Sequence, residues 1–360
     1  MIYQKKDLFE IKIERPDEEI FRKAKEAWDG ISKPIDGLGD FESLICRIAA
    51  MKRDISPRLA ERTLVVMCAD NGIVEEGISQ SGKEITLAVA KALGNGISSA
   101  CSLGRTSHVS VFPVDIGIDS DEKLAGVLDK KVSKGSNNFL KEPAMSVKQT
   151  LEAVYAGIEV SEKLYSEGKD ILAVGEMGIG NTTTSAAVLS AILGGNCDKF
   201  VGRGAGLDDA GLLRKKEVIR RGLLKYDFEK YKEKNEKYLE ILRTLGGYDI
   251  AGMAGVFIGA AKCHLPVVID GVISSTAALL AEGMVPGCRE YMIPSHRGRE
   301  AGNMAALKAL GFEPYINGNM ALGEGTGALM LFPLLDLVLD YYLQGARFSD
   351  YKIEEYKRFN

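Results

Sequence analysis

The chain has 360 residues, which is long enough to bury a large core, in one large domain with a smaller one attached. Its 46 basic and 50 acidic residues nearly cancel, so the charge indicates neither a polyanion nor a membrane surface as partner. It has three histidines, and its six cysteines are scattered without a CxxC pair, which argues against a disulfide framework or a protein-held metal.

The two ends of the chain carry no targeting or membrane signal. The amino-terminal stretch through Glu19 has no apolar core of signal-peptide length, so we expect a cytoplasmic protein. The one membrane-like run, residues 328–343, is interrupted by Pro333, Asp336 and Asp340. It is too short and too charged to span a bilayer.

Two helices are predicted before the first strand. Residues 16–31 place Phe21, Ala24 and Trp28 on one side of an amphipathic helix, and residues 41–51 have the pattern of a second one.

From residue 63 onward, short apolar runs alternate with helical patterns. The strand-type runs are 63–68, 108–114, 171–174, 200–201, 266–269 and 291–294, and the helical patterns are 85–93, 182–193, 212–224, 227–242 and 274–280. This alternation predicts a mainly parallel α/β sheet of about six strands with helices on both faces. The polar loops that follow the strands would then lie along one edge of the sheet.

A glycine-rich turn joins the strand at 171–174 to the next helix. Its three glycines, between residues 175 and 180, let the backbone approach a ligand closely. We expect Asn181 to cap the helix and the hydroxyl of Thr182 to lie at the positive end of the helix dipole. This is the usual construction of a phosphate site, and Glu176 adds an acid within the turn. The turn lacks the Gly-Lys-Ser/Thr ending of a nucleotide triphosphatase P-loop.

Two further loops contain residues suited to chemistry. Glu324 stands between glycines in residues 323–327, where a carboxylate on a tight loop can serve as a general base. Residues 295–297, Ser-His-Arg, could contact a ligand carboxylate or phosphate, although a His-Arg pair more often lies on the surface.

A second glycine-rich loop, residues 202–206, precedes Asp208, Asp209 and Lys215. Its backbone amides could hold an anion with the lysine behind them. Alternatively, Arg203 and Lys215 only neutralise the two aspartates.

Six blocks of the sequence together resemble the nicotinate-nucleotide:dimethylbenzimidazole phosphoribosyltransferase family of cobamide biosynthesis. They are GEMGIGNTTTSAA, GRGAGLDDAGL, GGYDIAGMAGVFIGAA, PVVIDGVISSTAALLA, SHRGREAG and LGEGTGALMLFPLLD. The match runs from about residue 40 to about residue 342, in order and with family-like spacing, and this ordered series is highly specific.

The resemblance implies an activity and a set of site residues. Phosphoribose would pass from nicotinate mononucleotide to a lower-ligand base, giving nicotinate and an α-riboside 5'-phosphate. Glu324 would be the catalytic general base, and Glu176 would also lie in the active site. The implied phosphoribosyl site is Gly178, Gly180, Asn181, Thr182, Gly202, Gly204 and Lys215. The implied base site is Asp70, Ser79, Lys83 and Leu322. No metal or other cofactor is implied.

The resemblance also implies a domain organisation and an assembly. Family members are homodimers with a Rossmann-like large domain and a small helical domain drawn from both chain ends. We therefore expect residues 1–55 with 328–360 to form the small helical domain, and residues 56–327 to form the large α/β catalytic domain. The expected partners are the two small-molecule substrates and a second copy of the chain, with no nucleic acid and no membrane.

One departure from the family pattern leaves the base open. Many members have a Pro-Gln pair before Glu-Val-Thr in the loop after the first strand, whereas here Ser81-Gly82-Lys83 precedes Glu84-Ile85-Thr86. Dimethylbenzimidazole is the default base, and a substituted benzimidazole, a purine or a phenol stays open.

Two other functions are weighed against this one. Residues 267–276 superficially resemble the loop that binds phosphoribosyl pyrophosphate in magnesium-dependent transferases, but Gly271 and Ala277 break that pattern. The other alternative is a nucleotide-binding subunit that depends on a partner for activity. The presence of both Glu176 and Glu324 argues against such a loss of catalysis.

Overall fold

The structure is a computed structural model that describes residues 3–358, and its centre is a six-stranded parallel sheet. The strands of this sheet are Arg62–Ala69 (β1), Ser110–Gly117 (β2), Leu128–Asp129 (β3), Ile171–Met177 (β4), Val267–Ile269 (β5) and Met292–Pro294 (β6). A separate two-stranded sheet pairs His296–Gly298 (β7) with Ile316–Met320 (β8).

Helices cover both faces of the six-stranded sheet, as predicted. In chain order the α-helices are Lys5–Phe9 (α1), Glu18–Asp29 (α2), Asp40–Lys52 (α3), Glu84–Gly94 (α4), Ser99–Thr106 (α5), Val147–Ser166 (α6), Asn181–Leu193 (α7), Asp209–Lys225 (α8), Lys234–Leu245 (α9), Tyr248–Lys262 (α10), Val272–Met284 (α11), Ala301–Leu310 (α12), Thr326–Leu329 (α13), Phe332–Gln344 (α14) and Phe348–Tyr351 (α15). Short 3₁₀ helices cover Gly72–Glu76, Cys197–Lys199 and Cys288–Tyr291.

The strand order is β3-β2-β1-β4-β5-β6, and all neighbouring strands are parallel. All eight residues of β1 are buried, which explains why its sequence is a continuous apolar run and not an alternating one. In the register between the two central strands, Met67 of β1 pairs with Glu176 of β4. The carboxyl ends of β1, β4, β5 and β6 therefore meet at one edge of the sheet.

Glycines allow helices α6 and α10 to pack closely. A Cβ on Gly157 of α6 would come within 2.0 Å of the carbonyl oxygen of Gly252 on α10. A Cβ on Gly255 would likewise come within 1.9 Å of the Val154 carbonyl oxygen. The small residues of α10 thus serve helix packing beneath the sheet.

The two chain ends contact each other, as the predicted small helical domain requires. The ring of Trp28 on α2 lies 5.0 Å from the ring of Tyr342 on α14, and both side chains are buried. Ile31 forms an isolated antiparallel bridge with Arg347. The division at residues 55 and 328 stays a prediction.

Several predicted elements are corrected by the structure. Residues 200–201 are not a strand, and the sixth strand of the sheet is β3 instead. The helix predicted over 227–242 begins only at Lys234 and ends at Leu245. Helices α5, α6, α10 and α12 and the β7–β8 pair lay outside the predicted elements.

The apolar carboxyl-terminal helical segment is part of the protein interior to a large extent. Of the described residues, only the segment Thr326–Gln344 is helical, long and apolar enough to cross a membrane, and 56% of its most apolar window is buried against the rest of the chain. Asp336 within it pairs with the guanidinium group of Arg62.

Candidate active site

A cavity of about 220 Å³ lies at the carboxyl edge of the sheet, and loops distant in sequence converge on it. Seven of the residues predicted from the sequence line it, namely Glu176, Gly178, Asn181, Thr182, Gly204, Leu322 and Glu324. A smaller pocket of about 70 Å³ shares Gly178, Asn181, Thr182 and Gly204 with it and adds Gly180 and Ser79. A larger groove, of about 920 Å³, near Arg15, Arg47 and Arg289 contains none of the predicted site residues.

Glu176 lies at the end of β4 and not in the following turn, where the sequence placed it. Burial raises the pKa of its carboxyl group to about 8, and the nearby acids Asp249, Asp270 and Glu324 act in the same direction. The side-chain amide of Asn181 donates a hydrogen bond to Glu176 Oε2, which opposes the shift. The carboxyl group is therefore mostly protonated at neutral pH.

Glu324 is held in a tight loop, as the sequence predicted. It has a left-handed backbone with φ +56°, and Gly323 and Gly325 beside it also have positive φ. Its Oε2 accepts a hydrogen bond from the backbone N–H of Ala100, in the first turn of α5, at 3.0 Å. A Cβ on Gly175 of β4 would come within 2.7 Å of the Glu324 carbonyl carbon, so the loop packs directly on the sheet. This close packing places Glu324 beside Glu176 in one cavity.

A backbone amide lies on the other side of the cavity, and a buried cation lies behind it. Helix α7 begins after Gly180, which has φ +95°. The N–H groups of Asn181 and Thr183 donate to the carbonyl oxygens of Gly178 and Gly180, which leaves the Thr182 N–H as the donor of the first turn that is unpaired within the described part of the chain. Lys215 of α8 is fully buried, and its Nζ donates a hydrogen bond to Thr182 Oγ1 at 2.8 Å. Burial lowers the pKa of this lysine to about 8, and the negative charge of Glu300 opposes the shift. A buried ammonium group beside a helix N-terminus is suited to a phosphate dianion.

Two details of this anion side differ from the sequence-based expectations. The N-cap of α7 is Gly180, because Asn181 is already helical and its side chain contacts Glu176. The sequence left open whether the 202–206 loop binds an anion or whether Arg203 and Lys215 only neutralise Asp208 and Asp209. For Lys215 the second interpretation is wrong. Arg203 pairs with Asp209, and Asp208 accepts the Gly211 N–H at 2.7 Å to cap α8.

The four residues expected at the base site are not all together. Leu322 lines the main cavity and is 59% exposed, and Ser79 lines the smaller pocket. Lys83 instead forms an ion pair with Asp119 at 3.1 Å, and Asp70 Oδ2 accepts the N–H of the same aspartate at 2.8 Å. Burial raises the pKa of Asp70. Neither Asp70 nor Lys83 lines either pocket, so their assignment to the base site stays a prediction.

Asp270 and His296 also line the cavity. The sequence predicts a possible ligand contact for residues 295–297, whereas Asp270 was assigned no role. His296 is buried, with Nδ1 2.8 Å from Ser295 Oγ and 4.0 Å from Asp270 Oδ1, so it is not the surface residue that its Arg297 neighbour suggested. The same Asp270 oxygen accepts the Ala328 N–H at 3.0 Å. Burial raises the pKa of Asp270 and lowers that of His296. In the sequence, a role for Asp270 is indicated by its position directly after a predicted strand.

Asp249, in the first turn of α10, packs against the glycine-rich turn at residues 175–180. It is fully buried, and burial raises its pKa to about 6. Asn71 Nδ2 donates to its Oδ2 at 3.4 Å, and a Cβ on Gly178 would come within 2.7 Å of that oxygen. Asp249 belongs to the block GGYDIAGMAGVFIGAA, but it was assigned no role from the sequence.

The arrangement combines an anion-binding side with two carboxyl groups of different character. A phosphorylated ligand held at Thr182 and Lys215 would extend its other end toward Glu176 and Glu324 in the same cavity. A half-exposed carboxylate can accept a proton there, while the buried carboxyl group starts protonated. Within residues 3–358, no three His, Cys, Asp or Glu side chains are arranged to hold a metal ion.

Comparison with known proteins identifies the same family as the sequence blocks. A family profile described as Phosphoribosyltransferase matches residues 13–353. The nicotinate-nucleotide–dimethylbenzimidazole phosphoribosyltransferase of Ruminiclostridium cellulolyticum is 40% identical over 339 residues, covering 94% of this chain and 95% of the relative. The protein of the same name from Acetivibrio thermocellus is 40% identical, covering 91% and 92%. A crystal structure of CobT from Thermus thermophilus is 33% identical with a TM-score of 0.87, covering 93% and 99%.

Proposed function

The chain belongs to the nicotinate-nucleotide–dimethylbenzimidazole phosphoribosyltransferase family, and from this premise we propose the reaction that it catalyses. It transfers 5-phosphoribose from nicotinate mononucleotide to 5,6-dimethylbenzimidazole or a related lower-ligand base. The products are nicotinate and α-ribazole 5'-phosphate. The observation that carries the proposal is that Glu176 and Glu324 line one cavity with the anion-binding turn at Thr182.

The 5'-phosphate is proposed to bind at the anion side of the cavity. The hydroxyl and the backbone N–H of Thr182 would contact its oxygens, with Gly178, Gly180, Gly202 and Gly204 giving the backbone access. Lys215 would supply the positive charge, since its ammonium group already reaches Thr182 Oγ1. Binding of the phosphate dianion would favour the protonated form of this lysine.

The chemistry needs a base but no metal to assist the leaving group. The bond between ribose C1' and the pyridinium nitrogen of nicotinate breaks, and its electron pair stays on that nitrogen. An unprotonated azole nitrogen forms the new bond at the opposite face of C1', which converts the β linkage into α. The other azole nitrogen then loses its proton to Glu324, which we propose as the general base.

Glu176 is proposed to stabilise positive charge near the ribose ring. Its carboxyl group is protonated near neutrality in the free protein because its pKa is about 8. The bound pyridinium nucleotide brings a positive charge, which would favour the ionised carboxylate. Asn181, which donates to Glu176 Oε2, would keep the carboxyl group oriented toward the substrate.

The remaining predictions concern the setting of the reaction. We propose that the enzyme acts as a cytoplasmic homodimer, with the small domain formed by both chain ends. Leu322, partly exposed at the cavity, is proposed to contact the aromatic base. A magnesium-dependent transferase that releases pyrophosphate, and a partner-dependent subunit, are not favoured by the named relatives.

The test is nicotinate release from nicotinate mononucleotide, without added metal. Dimethylbenzimidazole, adenine and p-cresol are offered separately to the wild type, Glu324→Gln and the control Glu313→Gln, which changes an exposed glutamate. Base-dependent release by the wild type and the control, largely lost in Glu324→Gln, supports the reaction and the role of Glu324. No release with any base, from protein that still binds the nucleotide, would indicate the partner-dependent subunit instead.

A further inference from the structure

The carboxylate of Glu300 lies inside the anion side of the cavity. Glu300 precedes α12, and its Oε1 accepts the backbone N–H of Gly204 at 3.1 Å. Its Oε2 lies against Gly202 of the same loop, because a Cβ there would come within 1.8 Å of it. Two glycines of the 202–206 loop thus enclose a carboxylate that belongs to the protein.

The same loop borders the buried cation. A Cβ on Gly204 would come within 2.9 Å of Thr182 Oγ1 and 3.5 Å of Lys215 Nζ. The Gly204 amide, the Thr182 hydroxyl and the Lys215 ammonium group are therefore neighbours, and Glu300 lines the same cavity. An incoming phosphate that uses these donors meets a carboxylate already bonded to one of them.

We propose that Glu300 limits anion binding at this site, because its carboxylate occupies part of the phosphate position and must be displaced by the substrate. Two anions do not share one amide donor and one buried cation without strong repulsion. A free anion gains only its own contacts from displacing Glu300. A phosphate attached to ribose and nicotinate gains the contacts of the whole nucleotide, so at the same displacement cost the nucleotide still binds at a concentration at which inorganic phosphate does not. This proposal rests on the proposed function for the identity of the nucleotide and for the position of its phosphate.

Local geometry makes such a displacement feasible. Glu300 is half-buried at the end of a loop, and its neighbours Arg299 and Ala301 are exposed, so its side chain has solvent to move into. Its hydrogen bond to Gly204 is made to a backbone amide, which the phosphate can replace directly. The charge of Glu300 also opposes the lowered pKa of Lys215, which indicates that the two charges interact without a ligand.

The test measures binding of inorganic phosphate, which needs no turnover. Glu300→Ala removes the side chain from the position, and Glu300→Gln removes only its charge. The control is Asp209→Asn, which removes a negative charge near the same loop, from the exposed ion pair between Asp209 and Arg203. We expect both Glu300 variants to bind phosphate about tenfold more tightly by calorimetry, which corresponds to about 1.4 kcal/mol. Asp209→Asn should change phosphate binding less than about twofold.

A second measurement tests whether phosphate and the nucleotide displace the same carboxylate. Inorganic phosphate should become a stronger competitive inhibitor against nicotinate mononucleotide in the Glu300 variants, and the KM for the nucleotide should fall by a similar factor, because both ligands displace Glu300. Weaker or unchanged phosphate binding in both Glu300 variants, with melting temperatures near wild type, would overturn the proposal. If phosphate binds more tightly but no nicotinate is released by any protein, the proposed reaction fails while the role of Glu300 stands.

Discussion

Lys215 donates a hydrogen bond from Nζ to Thr182 Oγ1 at 2.8 Å, although its side chain is fully buried. A buried ammonium group without a paired carboxylate at hydrogen-bond distance is costly, and the lowered pKa of about 8 reflects that cost. Such an arrangement is expected where a ligand supplies the missing negative charge.

Replacing this lysine by an uncharged side chain should therefore weaken substrate binding more than catalysis. For Lys215→Met we expect the KM for nicotinate mononucleotide to rise by about tenfold or more, since a charge-assisted contact to phosphate is lost. In the wild type this KM should also rise as the pH passes about 8, because the ammonium group loses its proton there. Steady-state kinetics between pH 6.5 and 9 check both. An equal pH-dependent rise in Lys215→Met would assign that rise to another group.

Loss of the proposed general base should affect turnover. Glu324→Gln should reduce kcat by about 10² to 10⁴, with the KM for nicotinate mononucleotide nearly unchanged, because the amide keeps the shape but cannot accept the proton. The variant should melt like the wild type, since the amide oxygen of the new side chain could still accept the Ala100 N–H. Retention of more than about half of the wild-type kcat would place the proton acceptor elsewhere.

The raised pKa of Glu176 should make the folded protein less stable as the pH rises. The folded-state pKa of about 8 is above the ordinary value of 4.5, so between these values the folded state holds a proton that the unfolded state has released. Stability therefore falls as pH rises through this window, by an amount on the order of 5 kcal/mol. Glu176→Gln should remove that fall. Urea unfolding of both proteins from pH 5 to 8.5 gives the difference, and a difference that does not depend on pH would contradict the prediction.

Close packing of the Glu324 loop on β4 should be sensitive to a single methyl group. In Gly175→Ala the new Cβ would lie within 2.7 Å of backbone atoms of Glu324 and Gly325, so the loop must shift. We expect a loss of stability of about 1–3 kcal/mol and a lower kcat. Gly271→Ala is the matched control for stability, because a Cβ there meets no atom within 4 Å. Similar melting temperatures for the two variants would argue against the close packing.

Much of the sheet could be predicted because parallel strands buried on both faces are continuous apolar runs. This holds for β1, β4, β5 and β6. The two-residue strand β3 has no such run, so residues 200–201 were assigned in its place. The error has a local cause, since an apolar pair before a glycine-rich loop has the same pattern whether or not it joins a sheet.

Site residues could be predicted where they stand in glycine-rich segments, and not where their role depends on tertiary packing. Glu176 and Glu324 stand in glycine-rich segments, and the structure places both in one cavity. Asn181 was expected to cap a helix, but the nearby carboxyl group of Glu176 takes its side-chain amide. The burial of His296 follows from residues that come close only in the fold, and no local pattern encodes it.

Because Trp28 packs against Tyr342, the fluorescence of Trp28 reports whether the two chain ends are in contact. Trp28 is the only tryptophan of the chain, and it lies on α2, far from the cavity in sequence and in contact with the carboxyl-terminal helix α14. Its emission should therefore shift to longer wavelength when the two chain ends separate from each other. Circular dichroism follows all the helices at once, so comparing the two signals during unfolding would show whether the terminal helices detach before the sheet does.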